Sequence, residues 1–266
     1  MSFLTTPDGV RLRLSDRGSG PAIVLVHGWK MSHRVWDRTV NGLEERFRVV
    51  AYDHRGMGES DKPSGTYDFD ELGADLGVVL EQLGLDDVTL VGWSMGCTVA
   101  LEYLRGGGGR VGRLVLVNGP LRLTRTDDFP FTMTQEELDG YVAALTARWP
   151  EDEYAFTEAA FAAPVAPVVQ WIYSIAMQTP LEVVLKTVRA QALLDHRDVV
   201  ASLAVPVLAI YGARDPYYPW ELADYIAERA PRGRALVLER SGHFPFLEAD
   251  TAAFTEAIAE FALQRD

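Results

Sequence analysis

The sequence predicts an α/β fold, a mostly parallel central sheet flanked by helices, with a helical insertion. From residue 22 onward, short apolar runs rich in β-branched residues alternate with longer stretches whose apolar residues recur every three or four positions. The short runs are apolar almost throughout, as strands covered on both faces must be. With 266 residues the chain is long enough for one large core carrying an insertion.

Taken in order, SFLTT and VRLRLSD alternate and flank Asp8-Gly9, a pair suited to a tight hairpin, so an antiparallel opening precedes the sheet proper. The strands that follow are AIVLV (22–26), RVVAY (48–52), VTLVG (88–92), RLVLV (113–117), VPVLAIY (205–211) and RALVLE (234–239). Helices are expected near 33–45, 69–83, 95–105, 220–230 and 248–264. The alternation breaks over 124–195, where no good strand occurs and helical segments such as TQEELDGYVAALTARW and PLEVVLKTVRAQALLD run between prolines at 150, 164, 167 and 180. This stretch reads as a helical cap, a lid over the site, leaving 1–123 and 196–266 as the core domain. The GGGG run at 106–109 lacks the context of a phosphate cradle and reads as a helix stop before the next strand.

Hydrophobic residues make up 48% and charged residues 24%, an ordinary globular composition. The formal charge of -13, with no Lys/Arg cluster to offset it, argues against nucleic acid and anionic membrane as partners. Cys97 is the single cysteine, so no intramolecular disulfide can form, and no CxxC or Cys/His cluster offers a metal site. The start of the chain has no apolar run with a cleavage site, and no segment has the apolar length to cross a bilayer, so a cytoplasmic protein is expected.

The strongest local signal is Gly92-Trp93-Ser94-Met95-Gly96, a G-x-S-x-G pentapeptide between a strand and a helix. A sharp strand-to-helix turn strains the central residue and exposes its side chain, while the two glycines remove Cβ atoms that would clash with strand and helix. Ser94 is thereby presented as a nucleophile. A serine hydroxyl needs a base whose pKa lies near the working pH, and histidine supplies one. His243, in Ser241-Gly242-His243-Phe244-Pro245, lies just past the last strand, where a loop at the carboxyl edge of the sheet could bring it to Ser94. His27, His33, His54 and His196 lie in turns or at helix ends and read as structural hydrogen-bonding groups.

The base needs a carboxylate on its far nitrogen, and Asp215, after VPVLAIY in Gly212-Ala213-Arg214-Asp215-Pro216, completes the order Ser, Asp, His. Asp53 precedes the nucleophile; Asp195 and Asp198 read as helix-end or surface charges. An oxyanion hole requires two backbone N–H groups, expected from Met95 and from Trp29, with His27 and Gly28 supporting that turn.

Together HGW (27–29), DHRGMGES (53–60), GWSMG (92–96), YGARDPYYP (211–219) and SGHFPFLE (241–248) resemble the α/β-hydrolase superfamily over nearly the whole chain, the insertion excepted. Within it the early segments look most like the cofactor-free haloperoxidase and aryl-esterase branch, which implies hydrolysis of small esters with peracid formation as a side activity. Two positions depart from that pattern: Lys30 stands where proline often follows HGW, and Cys97 replaces a frequent glycine. Serine as nucleophile favours acyl transfer over the displacement chemistry of branches that use aspartate.

The expectation is therefore a carboxylesterase-like serine hydrolase of a small carboxylic ester, lactone or thioester that forms an acyl-enzyme on Ser94 and needs neither metal nor organic cofactor. Its partner is a small apolar or aromatic acyl compound. Trp149, Phe156, Phe161, Trp171, Tyr173 and Met177 of the insertion either line that pocket or form the cap's own core. Cleavage of carbon–carbon bonds in diketone or ring-cleavage products, perhydrolysis, and a slow receptor-like binder on the same fold remain the alternatives. Cys97, on the helix after Ser94, reads as a small buried hydrophobe.

Overall fold

Alternation along the interior strands sets the layers of this molecule. In the computed structural model, which describes residues 2–264, eight strands form one sheet. They are β1 (Ser2–Thr5), β2 (Arg11–Arg17), β3 (Ala22–Val26), β4 (Arg48–Tyr52), β5 (Val88–Trp93), β6 (Val111–Val117), β7 (Val207–Gly212) and β8 (Gly233–Leu238). Their order is β1-β2-β4-β3-β5-β6-β7-β8; the pairs β1·β2 and β2·β4 are antiparallel and all others parallel. Val24, Val26, Leu90, Leu114 and Leu116 enter one apolar cluster, whereas Ile23, Leu25, Val91, Val115 and Val117 enter another, one on each face of the sheet.

The helices are α1 (Asp37–Leu43), α2 (Phe69–Gln82), α3 (Met95–Arg105), α4 (Gln135–Arg148), α5 (Glu153–Ala159), α6 (Ala166–Ala176), α7 (Leu181–Gln191), α8 (Arg197–Ser202), α9 (Glu221–Arg229) and α10 (Thr251–Leu263). Leucines and valines of α2, α3, α8 and α9 cover the first face, and Val40, Leu43, Phe254 and Ile258 of α1 and α10 cover the second. No helix among the described residues is long and apolar enough to cross a membrane. Because β3 has β4 on one side and β5 on the other, the chain reverses its winding there, and a crevice opens beyond the carboxyl ends of β3 and β5.

Three expectations are corrected. The segment expected as one helix over 33–45 is a 3-10 turn, His33–Trp36, followed by α1; buried Asp53 Oδ1 holds the first residue by accepting from the His33 N–H at 2.6 Å. The helix expected from 248 starts at Thr251, since the Asp250 carboxylate accepts from Arg240 N and Ser241 Oγ instead of entering a helical turn. The run 234–239 was expected to be covered on both faces, but β8 is an edge strand in which only Leu238 is fully buried. Over 124–195 no strand forms beyond two isolated bridges, and α4 to α7 follow. Phe129, ahead of α4, is fully buried in the first-face cluster, so the beginning of this stretch packs with the sheet domain. Helices α5, α6 and α8 were not among the expected elements; six or seven residues give α8 and α5 little periodicity, and Pro167 interrupts the sequence pattern of α6 although it sits in the first turn, where proline is tolerated.

Candidate active site

Ser94 stands between β5 and α3 with φ 54° and ψ −122°, a backbone region that side chains rarely adopt. The turn closes because Gly92 and Gly96 have no side chain. A Cβ on Gly96 would lie 2.3 Å from the Val26 carbonyl oxygen, and one on Gly92 would lie 2.6 Å from the Gly96 carbonyl oxygen. Strand β3, the turn and α3 thus meet backbone to backbone, and the serine side chain has only the crevice to occupy.

His243 lies in the loop after β8. Its ring Nε2 is 3.1 Å from Ser94 Oγ and its Nδ1 is 2.8 Å from Asp215 Oδ2. The loop is held on all sides: His243 N–H donates to Ala160 O at 2.8 Å, and its carbonyl accepts from Trp93 Nε1 at 2.8 Å. Asp215, its side chain fully buried, follows β7; its Oδ1 accepts the N–H groups of Tyr217 at 2.8 Å and Tyr218 at 3.3 Å. These bonds fix the carboxylate and leave Oδ2 for the imidazole. The Tyr217 ring stands edge-on to His243 at 4.9 Å, and burial followed by the Asp215 charge raises the Tyr217 hydroxyl pKa, keeping it neutral.

The structure therefore brings Ser94, Asp215 and His243 into one hydrogen-bonded chain. Trp29 and Met95 border the same cavity, and among the described residues their N–H groups donate to no protein acceptor. Gly28 supports the turn by proximity, since a Cβ there would be 3.0 Å from both Ser94 Cβ and the Trp93 ring. His27 is fully buried and does not join the chain. Its Nε2 accepts from the His54 N–H at 3.1 Å, so its Nδ1 donates to Gly28 O at 2.7 Å. Burial lowers its pKa to about 4, consistent with this neutral tautomer.

His33 pairs with Asp53 at 2.6 Å and His196 with Glu102 at 2.6 Å, both buried and away from Ser94's chain of bonds. Cys97 is buried, bonded to Gly92 O at 3.0 Å, and burial pushes its thiol up to about 12, so it is no nucleophile. Among the described residues no three His, Cys, Asp or Glu side chains are grouped to hold a metal ion.

Two supporting residues escaped the sequence reading. Asn118, at the carboxyl end of β6, accepts from Gly212 N at 2.8 Å and donates to Gly242 O at 2.9 Å, tying the acid loop to the base loop. Its place at the carboxyl end of a strand was the available signal. Glu248 accepts from Gly242 N at 3.0 Å, Phe244 N at 3.2 Å and Ala162 N at 2.8 Å, bracing the His243 loop against the insertion. Burial raises its pKa against those three bonds.

The cavity above Ser94 measures about 370 Å³. Trp29, Met31, Trp93 and Phe244 of the core form one side, and Leu138, Tyr141, Phe156 and Val188 of α4, α5 and α7 form the other. Of the insertion's aromatic residues, Tyr141 and Phe156 line this cavity, whereas Phe161 is buried in the second-face cluster, stacked on Phe244.

Residues 21–250 match the family model described as alpha/beta hydrolase fold. The chain is 33% identical over 216 residues to a putative non-heme chloroperoxidase of Synechocystis, covering 77% of this chain and 78% of that one. Among solved structures it is similar to an esterase from Exiguobacterium antarcticum, with TM-score 0.94, 31% identity and 99% of both chains covered. It is also similar to a bromoperoxidase from Bacillus anthracis, with TM-score 0.89 and 27% identity over 99% of this chain and all of that one.

Proposed function

The chain belongs to the α/β-hydrolase family, and on that premise we propose that it is a serine hydrolase of small carboxylic esters with an apolar or aromatic acyl part. The observation that carries this reading is the continuous chain Ser94 Oγ, His243, Asp215, at 3.1 and 2.8 Å, opening into an apolar cavity. Ser94 Oγ attacks the ester carbonyl carbon while His243 Nε2 takes its proton, and Asp215 stabilises the imidazolium through Nδ1. The oxyanion accepts from the N–H groups of Trp29 and Met95. His243 then returns the proton to the leaving alkoxide, and a water deprotonated at the same nitrogen releases the acid and regenerates Ser94. These steps call for no cofactor.

The helical insertion serves as the lid, since its helices α4, α5 and α7 supply the far wall of the cavity. The single, buried cysteine suits a reducing compartment, and we assign the protein to the cytoplasm. The names of the chloroperoxidase and bromoperoxidase relatives favour a second activity on the same acyl-enzyme. In it hydrogen peroxide takes the place of water, its oxygen bonds to the acyl carbon, Ser94 leaves with a proton, and a peracid results.

Hydrolysis of short-chain p-nitrophenyl esters by the wild type and by Ser94→Ala, with fluorophosphonate labelling of both, tests the proposal. Turnover and labelling are expected in the wild type, with kcat falling by roughly 10⁴-fold or more and labelling absent in the variant. A folded wild type that neither turns over nor labels would sink the assignment.

A further inference from the structure

Lys30 directly follows Trp29, and its ammonium lies entirely inside the protein. Its side chain is 1% exposed and its Nζ sits 2.7 Å from Oε2 of Glu153, which is also 1% exposed. The same Nζ lies 4.3 Å from the ring centres of both Trp29 and Phe156, within cation–π range. Lys30 belongs to the loop after β3, while Glu153 and Phe156 belong to α5. Desolvating two ions costs several kcal/mol each, and a well-packed apolar pair often does as well or better, so stability alone is a weak reason for this arrangement.

What the pair supplies is a fixed geometry in a turn that would otherwise resist it. Lys30 has φ 63°, uncommon for a residue with a side chain. Met31 N–H closes the turn on Gly28 O at 3.3 Å, and Thr179 Oγ1, between α6 and α7, donates to Lys30 O at 3.4 Å. Trp29 Nε1 donates to Thr187 Oγ1 of α7 at 2.9 Å. The turn that carries the Trp29 N–H is thus gripped from the insertion at three places, and only the Lys30–Glu153 contact is ionic.

Resting on the hydrolase reading above, we propose that the Lys30–Glu153 ion pair positions the oxyanion hole: from the helical insertion it holds the Gly28-Trp29-Lys30 turn so that the Trp29 N–H meets the carbonyl oxygen of the bound ester. Both side chains also border the cavity; paired with each other, they act as positioning residues through Trp29, and an unchanged KM distinguishes this from contact with substrate. The insertion is then part of the machinery that stabilises the transition state as well as a wall for the substrate.

The test compares the wild type, Glu153→Gln, and the apolar double variant Lys30→Met/Glu153→Met. For each, the melting temperature is measured, with kcat and KM for p-nitrophenyl butyrate and Ki for a trifluoromethyl ketone, whose Ser94 adduct carries an oxyanion. Both variants are expected to lose roughly 10- to 100-fold in kcat, with Ki weakened by the same factor and KM within about twofold of wild type. The double variant, free of buried charge, is expected to keep its melting temperature.

Wild-type kcat and Ki in either folded variant would overturn the proposal, as would a kcat loss with Ki unchanged. Should the double variant not fold, Glu153→Gln decides alone, because it preserves the side chain's volume and removes only the charge that pairs with the ammonium. A wild type that neither turns over the ester nor binds the ketone would instead remove the hydrolase reading, and this inference with it.

Discussion

Ser94 is reachable because Gly92 and Gly96, two positions to either side, lack side chains, and His243 is aimed because one oxygen of its carboxylate partner is already committed to backbone. Asp215 divides its two oxygens: Oδ1 takes the backbone of Tyr217 and Tyr218, and Oδ2 takes the imidazole. In Asp215→Asn the amide oxygen can retain the backbone bonds, so the amide NH₂ faces Nδ1 and forces that nitrogen to accept. The proton then sits on Nε2, where Ser94 needs a base. The variant is expected to fold with a melting temperature near that of the wild type and to lose roughly 10³- to 10⁴-fold in kcat. Steady-state kinetics on a p-nitrophenyl ester, beside a melting curve, check this; a loss below tenfold would mean that Asp215 does not set the tautomer. The three residues were legible in the sequence because each sits beside a local marker, a G-x-S-x-G turn or the end of an apolar run.

At the level of elements, the site exists because loops after β3, β5, β7 and β8 converge at one edge of a parallel sheet, and Asn118 after β6 staples two of them. Fully buried, it satisfies Gly212 N, Gly242 O and His243 O together. Asn118→Ala takes this partner from Gly212 N and Gly242 O, while His243 O keeps Trp93 Nε1, and it places alanine at φ 42°, so a loss of roughly 2–4 kcal/mol is expected, accompanied by a lower kcat. Urea unfolding measures the first and kinetics the second. Unchanged stability would show that other groups or water take over its bonds. The sequence places Asn118 at a strand end but does not disclose the bonds, since their acceptors lie 124 and 125 positions away. Elements with strong periodicity, such as α2 and α3, were legible within a residue or so; α5 and α8 were not, because a helix of six or seven residues does not complete two turns.

For the whole molecule, buried neutral imidazoles link stability to pH. Burial lowers the His27 pKa to about 4 and, with the His27 charge beside it, lowers that of His54 well below 6.5. The unfolded chain binds the protons that the folded chain refuses, so this contribution is complete above about pH 6.5 and is lost as pH falls toward 4. Each ring adds at most about 1.4 kcal/mol per pH unit in that window. Asp75 and Glu248, whose pKa values burial raises, act in the opposite sense and blunt the slope. Urea unfolding at pH 5, 6, 7 and 8 is expected to give stability that is level from 8 to 7 and declines from 7 to 5, with the His27 ring proton signals untitrated by NMR at pH 5. Stability at pH 5 equal to that at pH 7 would contradict the account.

The sequence by itself determined the α/β architecture, the strand list, the strand-to-helix turn at Ser94 and the order Ser, Asp, His, because periodicity and turn chemistry act over a few residues. Only the tertiary structure decided that 234–239 forms an edge strand, that Asn118 and Glu248 brace the base loop, and that Lys30 lies buried against a glutamate 123 positions away. Those outcomes depend on which distant segments share one dry volume. A side chain's burial and the partner that satisfies it are properties of the packed chain, and no local pattern encodes them.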